Sequence, residues 1–226
     1  MSAEMIHGDA LEVLRGMATA SVDAVVTDPP YGINTKSDGS GKLNPWADLT
    51  NAAFWYREWI GECRRVVRPA GCLWSCLNWR SLVTFQKASC DLGWPIESLL
   101  VWDKKWIGPG GSRGLRPSYE LVSLWCGSDF AIADRGLADV QAFPASSFKT
   151  FGHPAEKPES LMRWLVKHSG ARIVLDPFAG SGTTGAACIA LGVDFIGVET
   201  DERWHGVATQ RIADAQAQLS LGLGAA

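Results

Sequence analysis

Residues 28–31 combine side chains that together could act on an amine. A strand candidate, 22–27, is followed by Asp28, Pro29, Pro30 and Tyr31. The amino nitrogen of adenine or cytosine is a poor nucleophile because its lone pair is delocalised into the ring. The Asp28 carboxylate and the Pro29 carbonyl could accept hydrogen bonds from such an amine, and two successive prolines would hold that backbone rigid. Tyr31 could stack on the base. The stretch therefore predicts methyl transfer to an exocyclic amine, with a plain strand-ending turn as the alternative.

A glycine-rich turn provides a second candidate site. Gly180, Gly182 and Gly185 have GxGxxG spacing between a predicted strand and a predicted helix, and Glu199 closes the next strand, 17 residues after Gly182. This fingerprint is typical of dinucleotide-binding proteins, in which the acid binds ribose hydroxyls. No GKS or GKT follows, which argues against a phosphate-binding P-loop. Taken alone, the spacing suits NAD, FAD, another adenosine-containing ligand, or a tight turn without a ligand.

The elements that must position these residues alternate between strand-like runs and helix-like periods. This alternation predicts a doubly wound α/β fold with a mostly parallel sheet. Helices are expected after Thr50, from Pro158 to Gly170, and after Asp201. The strand candidates are 4–7, 22–27, 72–77, 96–102, 120–126, 172–175 and 194–198. Because 96–102 and 120–126 follow each other without a helix between them, one antiparallel strand is expected beside the parallel ones.

Length, charge and cysteine content narrow the class of protein. A chain of 226 residues is expected to form one domain. Because the net charge is −3, any contact with DNA must use a local basic surface. No apolar run approaches the ~20 residues of a membrane span, and the N-terminal residues do not resemble a signal peptide. The 6 cysteines lack CxxC spacing and are interpreted as buried reduced thiols. We therefore expect a cytoplasmic protein without a metal site.

Three stretches together resemble one family. TDPPYG (27–32) resembles the catalytic motif of S-adenosylmethionine-dependent DNA amino-methyltransferases, LDPFAGSGTTG (175–185) resembles their cofactor motif, and FGHPAEKP (151–158) resembles the segment before it. The catalytic motif comes first, as in the permuted β group of this family, which includes restriction-modification enzymes. The resemblance covers nearly the whole chain, so residues 1–226 are expected to form a single methyltransferase domain. It implies a circularly permuted Rossmann-like methyltransferase fold, S-adenosylmethionine as cofactor and double-stranded DNA as partner.

The resemblance also implies roles for individual residues. Asp9 would approach the adenine amine of the cofactor, Glu199 would bind its ribose hydroxyls, and Lys157 would lie near its methionine carboxylate. The other residues expected around the cofactor are Asp28, His153, Pro158, Asp176, Phe178, Gly180, Gly182 and Thr183. The catalytic residues implied are Asp28, Pro29, Pro30 and Tyr31.

The target atom stays open between two bases. In this family an Asp at the first motif position favours adenine N6 and a Ser favours cytosine N4, so Asp28 indicates adenine. Methylation of RNA or of a glutamine side chain is a further alternative. A module that binds the cofactor or DNA without catalysis is another.

A basic and aromatic loop, 103–118, is expected to contact DNA. Its candidate residues are Lys104, Lys105, Trp106, Arg113 and Arg116. An ordinary solvated loop is the alternative. Larger members of the family usually insert a separate target-recognition domain. In this chain only residues 127–150 lie at the corresponding place. Recognition is then short or relaxed, or loops 33–49 and 103–118 read the target, or a second protomer of a homodimer helps. We expect weak sequence preference.

Overall fold

A computed structural model describes residues 1–30, 49–108, 114–144, 156–220 and 222. Tyr31, Arg113 and His153 lie outside the described residues, as do 33–48 of the loop after the first motif. Within these ranges the strands are β1 (Ala3–His7), β2 (Val22–Thr27), β3 (Val67–Leu77), β4 (Ser98–Asp103), β5 (Tyr119–Cys126), β6 (Val140–Ala142), β7 (Ile173–Asp176) and β8 (Asp194–Glu199). The helices are α1 (Ala10–Gly16), α2 (Leu49–Val66), α3 (Leu82–Asp91), α4 (Glu159–Ser169), α5 (Thr183–Leu191) and α6 (Glu202–Ser220).

The strands form one sheet with the order β1-β8-β7-β2-β3-β5-β4-β6. β5 runs antiparallel to both of its neighbours, β3 and β4. The other pairings in the described residues are parallel. The predicted α/β class, with a mostly parallel sheet and an antiparallel strand, is therefore confirmed.

Alternating side chains of each strand face two separate helical layers. In β2, Val25 packs into a cluster with α1, α2 and α3, whereas Ala24 and Val26 pack into a second cluster with α4, α5 and α6. This alternation follows from the two-residue repeat of a strand. Helices cover both faces of the sheet, which is the doubly wound arrangement.

The chain reverses its winding direction between β2 and β7, which are neighbours in the sheet. α2 leads from β2 to β3 on one side, while α5 leads from β7 to β8 on the other side and on the opposite face. The loops that leave these two strands therefore separate and open a crevice at the carboxyl edge of the sheet. Open α/β sheets bind their ligands in such a crevice.

Several local features differ from the expectations. α1, α3 and the three-residue strand β6 were not predicted, and α2 begins at Leu49, so Thr50 lies inside the helix rather than at its cap. Cys90 is exposed and Cys126 half-buried, so the expectation of six buried thiols is wrong. β6 lies within 127–150 and pairs with β4 at the sheet edge. In the described residues, no helix combines the length and the apolar character needed to cross a membrane.

Candidate active site

The two predicted motifs meet at the crevice between β2 and β7. Parallel pairing aligns Ala24 with Val174 and Val25 with Leu175. At the ends of these strands the Thr27 hydroxyl donates a hydrogen bond of 2.6 Å to the Asp176 carboxylate, across 149 positions of the chain. Asp28 follows Thr27 directly. The two motifs therefore adjoin at this edge of the sheet, where the charge of Asp28 acts on the Asp176 carboxylate.

Asp176 organises the floor of the crevice. Its buried carboxylate accepts hydrogen bonds from the hydroxyls of Thr27 and Thr184, each at 2.6 Å, and from the backbone N–H of Phe178 at 3.0 Å. Burial raises the pKa of Asp176 from 3.8 to about 6, an effect that the three hydrogen bonds oppose and the charge of Asp28 increases. The carboxyl group therefore ties the end of β2 to the start of α5.

A chain of charged side chains runs from Asp28 into the protein. Lys157 donates a hydrogen bond to Asp28, and its Nζ lies 3.6 Å from Glu120 Oε2. Glu120 Oε1 in turn accepts from Lys104. Burial would lower the pKa of Lys157, but the charges of Asp28 and Glu120 outweigh it and raise the pKa above its usual value. Lys157 therefore remains a cation next to Asp28 throughout the neutral and mildly alkaline range.

The glycine-rich turn has the backbone that its sequence predicts. Gly180 and Gly182 have φ of 52° and 78°, a left-handed conformation that glycine adopts without strain. The N–H of Gly180 donates to Glu199 Oε2 at 2.9 Å, and the N–H of Asp201 donates to Glu199 Oε1 at 2.9 Å. The Glu199 carboxylate therefore spans the turn after β7 and the end of β8.

Asp9 lies at the same edge of the sheet. β1 pairs with β8, with His7 opposite Glu199, and the Gly8 N–H donates to the Glu199 carbonyl at 3.1 Å. The Asp9 side chain caps α1 by accepting from the N–H groups of Leu11 and Glu12. Whether it also approaches an adenine amine stays a prediction.

The donors and acceptors at this edge fit the cofactor that the sequence implied. Asp9 and Glu199 offer carboxylate acceptors at the ends of the neighbouring strands β1 and β8, which suits the amine of an adenine and the hydroxyls of a ribose. The Asp176 carboxylate adds negative charge at the end of the neighbouring strand β7, which suits a positively charged sulfur better than a pyrophosphate. Asp9, Phe178, Gly180, Gly182, Thr183 and Glu199 would hold S-adenosylmethionine here.

The remaining predicted residues are distributed around the crevice. Pro29 is buried, and the Pro30 carbonyl accepts a hydrogen bond of 3.4 Å from the hydroxyl of Tyr56. Pro158 caps α4, directly after Lys157. The Phe178 ring packs 5.5 Å from that of Trp55, so part of its surface belongs to the core.

A buried arginine that the sequence interpretation did not include supports the turn from behind. Arg211 of α6 donates to the Thr183 hydroxyl at 2.9 Å and to the Ser181 carbonyl at 3.4 Å. It also lies 3.2 Å from the carboxylate of Glu156, the residue before Lys157. Arg211 therefore connects the glycine-rich turn with the segment that carries Lys157. Its position three residues after Ala208, on the apolar side of α6, was the available signal.

Glu120 was also missed, although it is visible as a charged residue in the otherwise apolar strand 119–126. Glu120 forms an ion pair with Lys104, so this lysine of the predicted DNA-contacting loop already has a partner within the protein. Lys105 pairs with Asp103 at 2.8 Å, and Arg116 donates to the Gly108 carbonyl at 2.9 Å. Trp106 is exposed. The three described cations of this loop are therefore engaged within the protein, Lys104 and Lys105 by carboxylates and Arg116 by backbone carbonyls.

In the part of the chain that the structure describes, no group of three or more His, Cys, Asp or Glu side chains could hold a metal ion. Among the described residues, the functional groups at the crevice are carboxylates, hydroxyls, backbone groups and one buried lysine.

Comparisons with known sequences identify the family of this chain. A family model described as DNA methylase matches residues 22–130 and 120–210. The DNA adenine methyltransferase YhdJ of Escherichia coli (strain K12) is 30% identical over 244 residues, covering 92% of this chain and 82% of that protein. The Type II methyltransferase M.HinfI of Haemophilus influenzae is 25% identical over 246 residues, covering 93% of this chain and 68% of that protein.

Solved structures share the fold. The crystal structure of the M1.HpyAVI–SAM complex superposes with a TM-score of 0.73 at 24% identity, covering 93% of this chain and 98% of that chain. The cytosine-N4-specific PvuII DNA methyltransferase gives a TM-score of 0.75 at 16% identity, covering 98% of this chain and 94% of that chain. The predicted Rossmann-like fold is thus confirmed, and its circular permutation stays a prediction.

Proposed function

Because this chain belongs to the DNA methylase family, we propose that it transfers the methyl group of S-adenosylmethionine to an exocyclic amine of double-stranded DNA, at adenine N6. The meeting of the two motifs carries the proposal, because Asp28 directly follows Thr27, whose hydroxyl donates to Asp176 at the start of the glycine-rich turn. The relative from E. coli that is named a DNA adenine methyltransferase supports adenine over cytosine.

The mechanism uses fixed acceptors aimed at the amine. When bound, S-adenosylmethionine supplies an electrophilic methyl group on a positively charged sulfur. The Asp28 carboxylate and the Pro29 carbonyl accept hydrogen bonds from the two N–H groups, so that the nitrogen lone pair points at the methyl group. Asp28 would also take the proton that the amine loses on methylation. Lys157, a cation hydrogen-bonded to Asp28, holds that carboxylate in position.

The target amine lies inside the duplex, so the base must be extruded into the crevice. Extrusion costs a few kcal/mol, and stacking on Tyr31 would return about 1–3 kcal/mol. Phosphate contacts from the loop 103–118 would supply further affinity. Tyr31 and Arg113 lie outside the described residues, so both roles rest on the sequence motif and on the loop composition.

Target recognition is expected to be weak, because 127–150 leave little room for a recognition domain and β6 occupies part of them. A second protomer could supply further contacts, and we expect the enzyme in the cytoplasm with its DNA. Sequencing of a plasmid modified by the protein would test the weak preference. Methylation confined to one long motif would contradict it.

The decisive experiment is a transfer assay with labelled S-adenosylmethionine and unmethylated DNA. Mass spectrometry of the digested nucleosides should find N6-methyladenine. Asp28→Ala should lose transfer and keep most of the affinity for S-adenosylmethionine, because Asp28 would act on the amine and not on the cofactor. Detection of N4-methylcytosine instead would show that the target is cytosine N4, which is the closest alternative to adenine N6. Equal turnover by the variant and the wild type would overturn the catalytic proposal.

A further inference from the structure

An exposed aromatic residue follows β3 at the same sheet edge as Asp28. Trp79 is 58% exposed, two residues after the end of β3 at Leu77. β3 pairs with β2 in parallel, with Ser75 opposite Thr27, so Asp28 is level with Cys76. Burial, and next the charge of Asp28, raise the pKa of the Cys76 thiol, which agrees with this proximity. Trp79 follows Cys76 by three residues, so it lies at the same sheet edge as Asp28, on the neighbouring chain segment.

The turn that carries Trp79 is firmly held. The Asn78 side-chain oxygen accepts hydrogen bonds from the backbone N–H groups of Arg80 at 2.8 Å and of Ser81 at 3.1 Å. Ser81 is buried, and its carbonyl accepts the N–H of Phe85 at 3.0 Å in the first turn of α3. Trp79 therefore projects from a fixed corner between β3 and α3.

Arg80 adds a positive charge to this corner. Its guanidinium lies 4.7 Å from the centroid of the Trp79 ring. Within the described ranges, Arg80 has no carboxylate partner, in contrast to Lys104 with Glu120 and Lys105 with Asp103. The guanidinium is therefore available to an anion from solution, whereas those two loop cations are already paired.

Two further aromatic side chains continue the same edge. β5 pairs with β3 so that Leu121 is opposite Leu77, which places its first residue, Tyr119, level with Trp79. Asp103 at the end of β4 is opposite Tyr119, and Trp106 follows three residues later. Tyr119 and Trp106 are 42% and 55% exposed. The row Trp79, Tyr119 and Trp106, with Arg80, combines flat aromatic faces with positive charge, as in surfaces that bind nucleic acid strands.

We propose that Trp79 and Arg80 bind the DNA next to the extruded base, Trp79 by stacking on a base left uncovered by extrusion and Arg80 by contacting a phosphate. The inference rests on the proposed function, because it takes DNA as the substrate. It adds a contact that is independent of the charged loop 103–118. Each stacked base contributes ~1–3 kcal/mol, or about 5- to 150-fold in affinity.

The test compares variants of the full-length protein on labelled duplex DNA of mixed sequence, across a range of salt concentrations. Trp79→Ala should weaken binding by about 5- to 150-fold, and Trp79→Phe should retain most of the affinity because it keeps a ring. Arg80→Gln should reduce the slope of log affinity against log salt by about 1. Val83→Ala is the control, because Val83 is 76% exposed on the neighbouring α3.

Melting temperature and affinity for S-adenosylmethionine should stay unchanged in all four variants, since the altered side chains are exposed or distant from the cofactor residues. Normal DNA binding and transfer by Trp79→Ala and Arg80→Gln, at the level of Val83→Ala, would overturn the inference and leave the proposed function standing. Failure of the wild type to bind or methylate DNA would instead overturn both, and the wild-type arm reports this separately.

Discussion

The ammonium group of Lys157 donates a hydrogen bond to the carboxylate of Asp28, although 129 positions separate the two residues in the chain. Their side chains are 9% and 19% exposed, so solvent screens the pair only weakly. The resemblance placed Lys157 near the cofactor carboxylate, whereas the structure places it on the carboxylate that would receive the target amine. We therefore infer that Lys157 positions Asp28 in the proposed reaction.

Replacing Lys157 should slow methyl transfer. We expect Lys157→Met to lower kcat by up to about 100-fold, because a small misplacement of a reacting group can cost this much in rate. Lys157→Arg should keep more activity because it keeps the charge. An increase in KM for S-adenosylmethionine with kcat unchanged would favour the role near the methionine carboxylate instead.

Replacing Arg211 should affect both folding and cofactor binding. Arg211 and Glu156 are 8% and 9% exposed, and breaking a buried ion pair costs about 3–5 kcal/mol. Arg211→Met should lower the free energy of unfolding by this amount and weaken S-adenosylmethionine binding, because Ser181 and Thr183 lose their shared donor. Urea unfolding and calorimetric titration would measure both effects. Arg203→Met, at an exposed position of the same helix, is the control and should change neither.

Asp176 should make stability depend on pH. Because burial raises its pKa to about 6 in the folded protein, the folded state holds a proton that the unfolded state releases between pH 4 and pH 6. Stability therefore falls as pH rises through this window, by about 3 kcal/mol for a shift of about two pKa units.

Asp176→Asn removes the titrating group and can still accept from Phe178 and Thr27 while donating to Thr184. The difference in unfolding free energy between variant and wild type should therefore increase from pH 4 to pH 7, in favour of the variant. Urea denaturation at several pH values would measure this difference. A constant difference across the window would contradict the raised pKa.

Two glycines in helices should respond to alanine in opposite directions. A Cβ at Gly185 would lie 2.6 Å from Ile212 Cδ1 and 2.8 Å from Phe195 Cε1, so Gly185→Ala should destabilise the fold by about 1–3 kcal/mol. A Cβ at Gly206 would meet nothing within 4 Å, so Gly206→Ala should stabilise α6 by about 0.5–1 kcal/mol. Urea unfolding of both variants tests the pair. Equal changes would mean that α5 is not packed as described.

The strands and the site motifs were predictable because their signals are local. Apolar runs located β2 and β7, and Gly170 and Asp201 marked helix ends with the residues that helix termini favour. β6 and α3 were missed because a three-residue strand and a short helix carry too little periodicity. The residues that support the site, Glu120 and Arg211, were missed because a single charge inside an apolar element does not identify its partner.

The sequence by itself determined the class of fold, the order of its main strands along the chain, and the two motifs that a methyltransferase would use. These depend on backbone preferences and on the alternation of apolar residues, which act over a few positions. The tertiary structure decided which motif residues meet: Asp28 with Lys157, Thr27 with Asp176, and Arg211 with the glycine-rich turn. Such pairs depend on the lateral order of strands in the sheet, since that order brings distant segments to one edge and is not encoded in any local pattern.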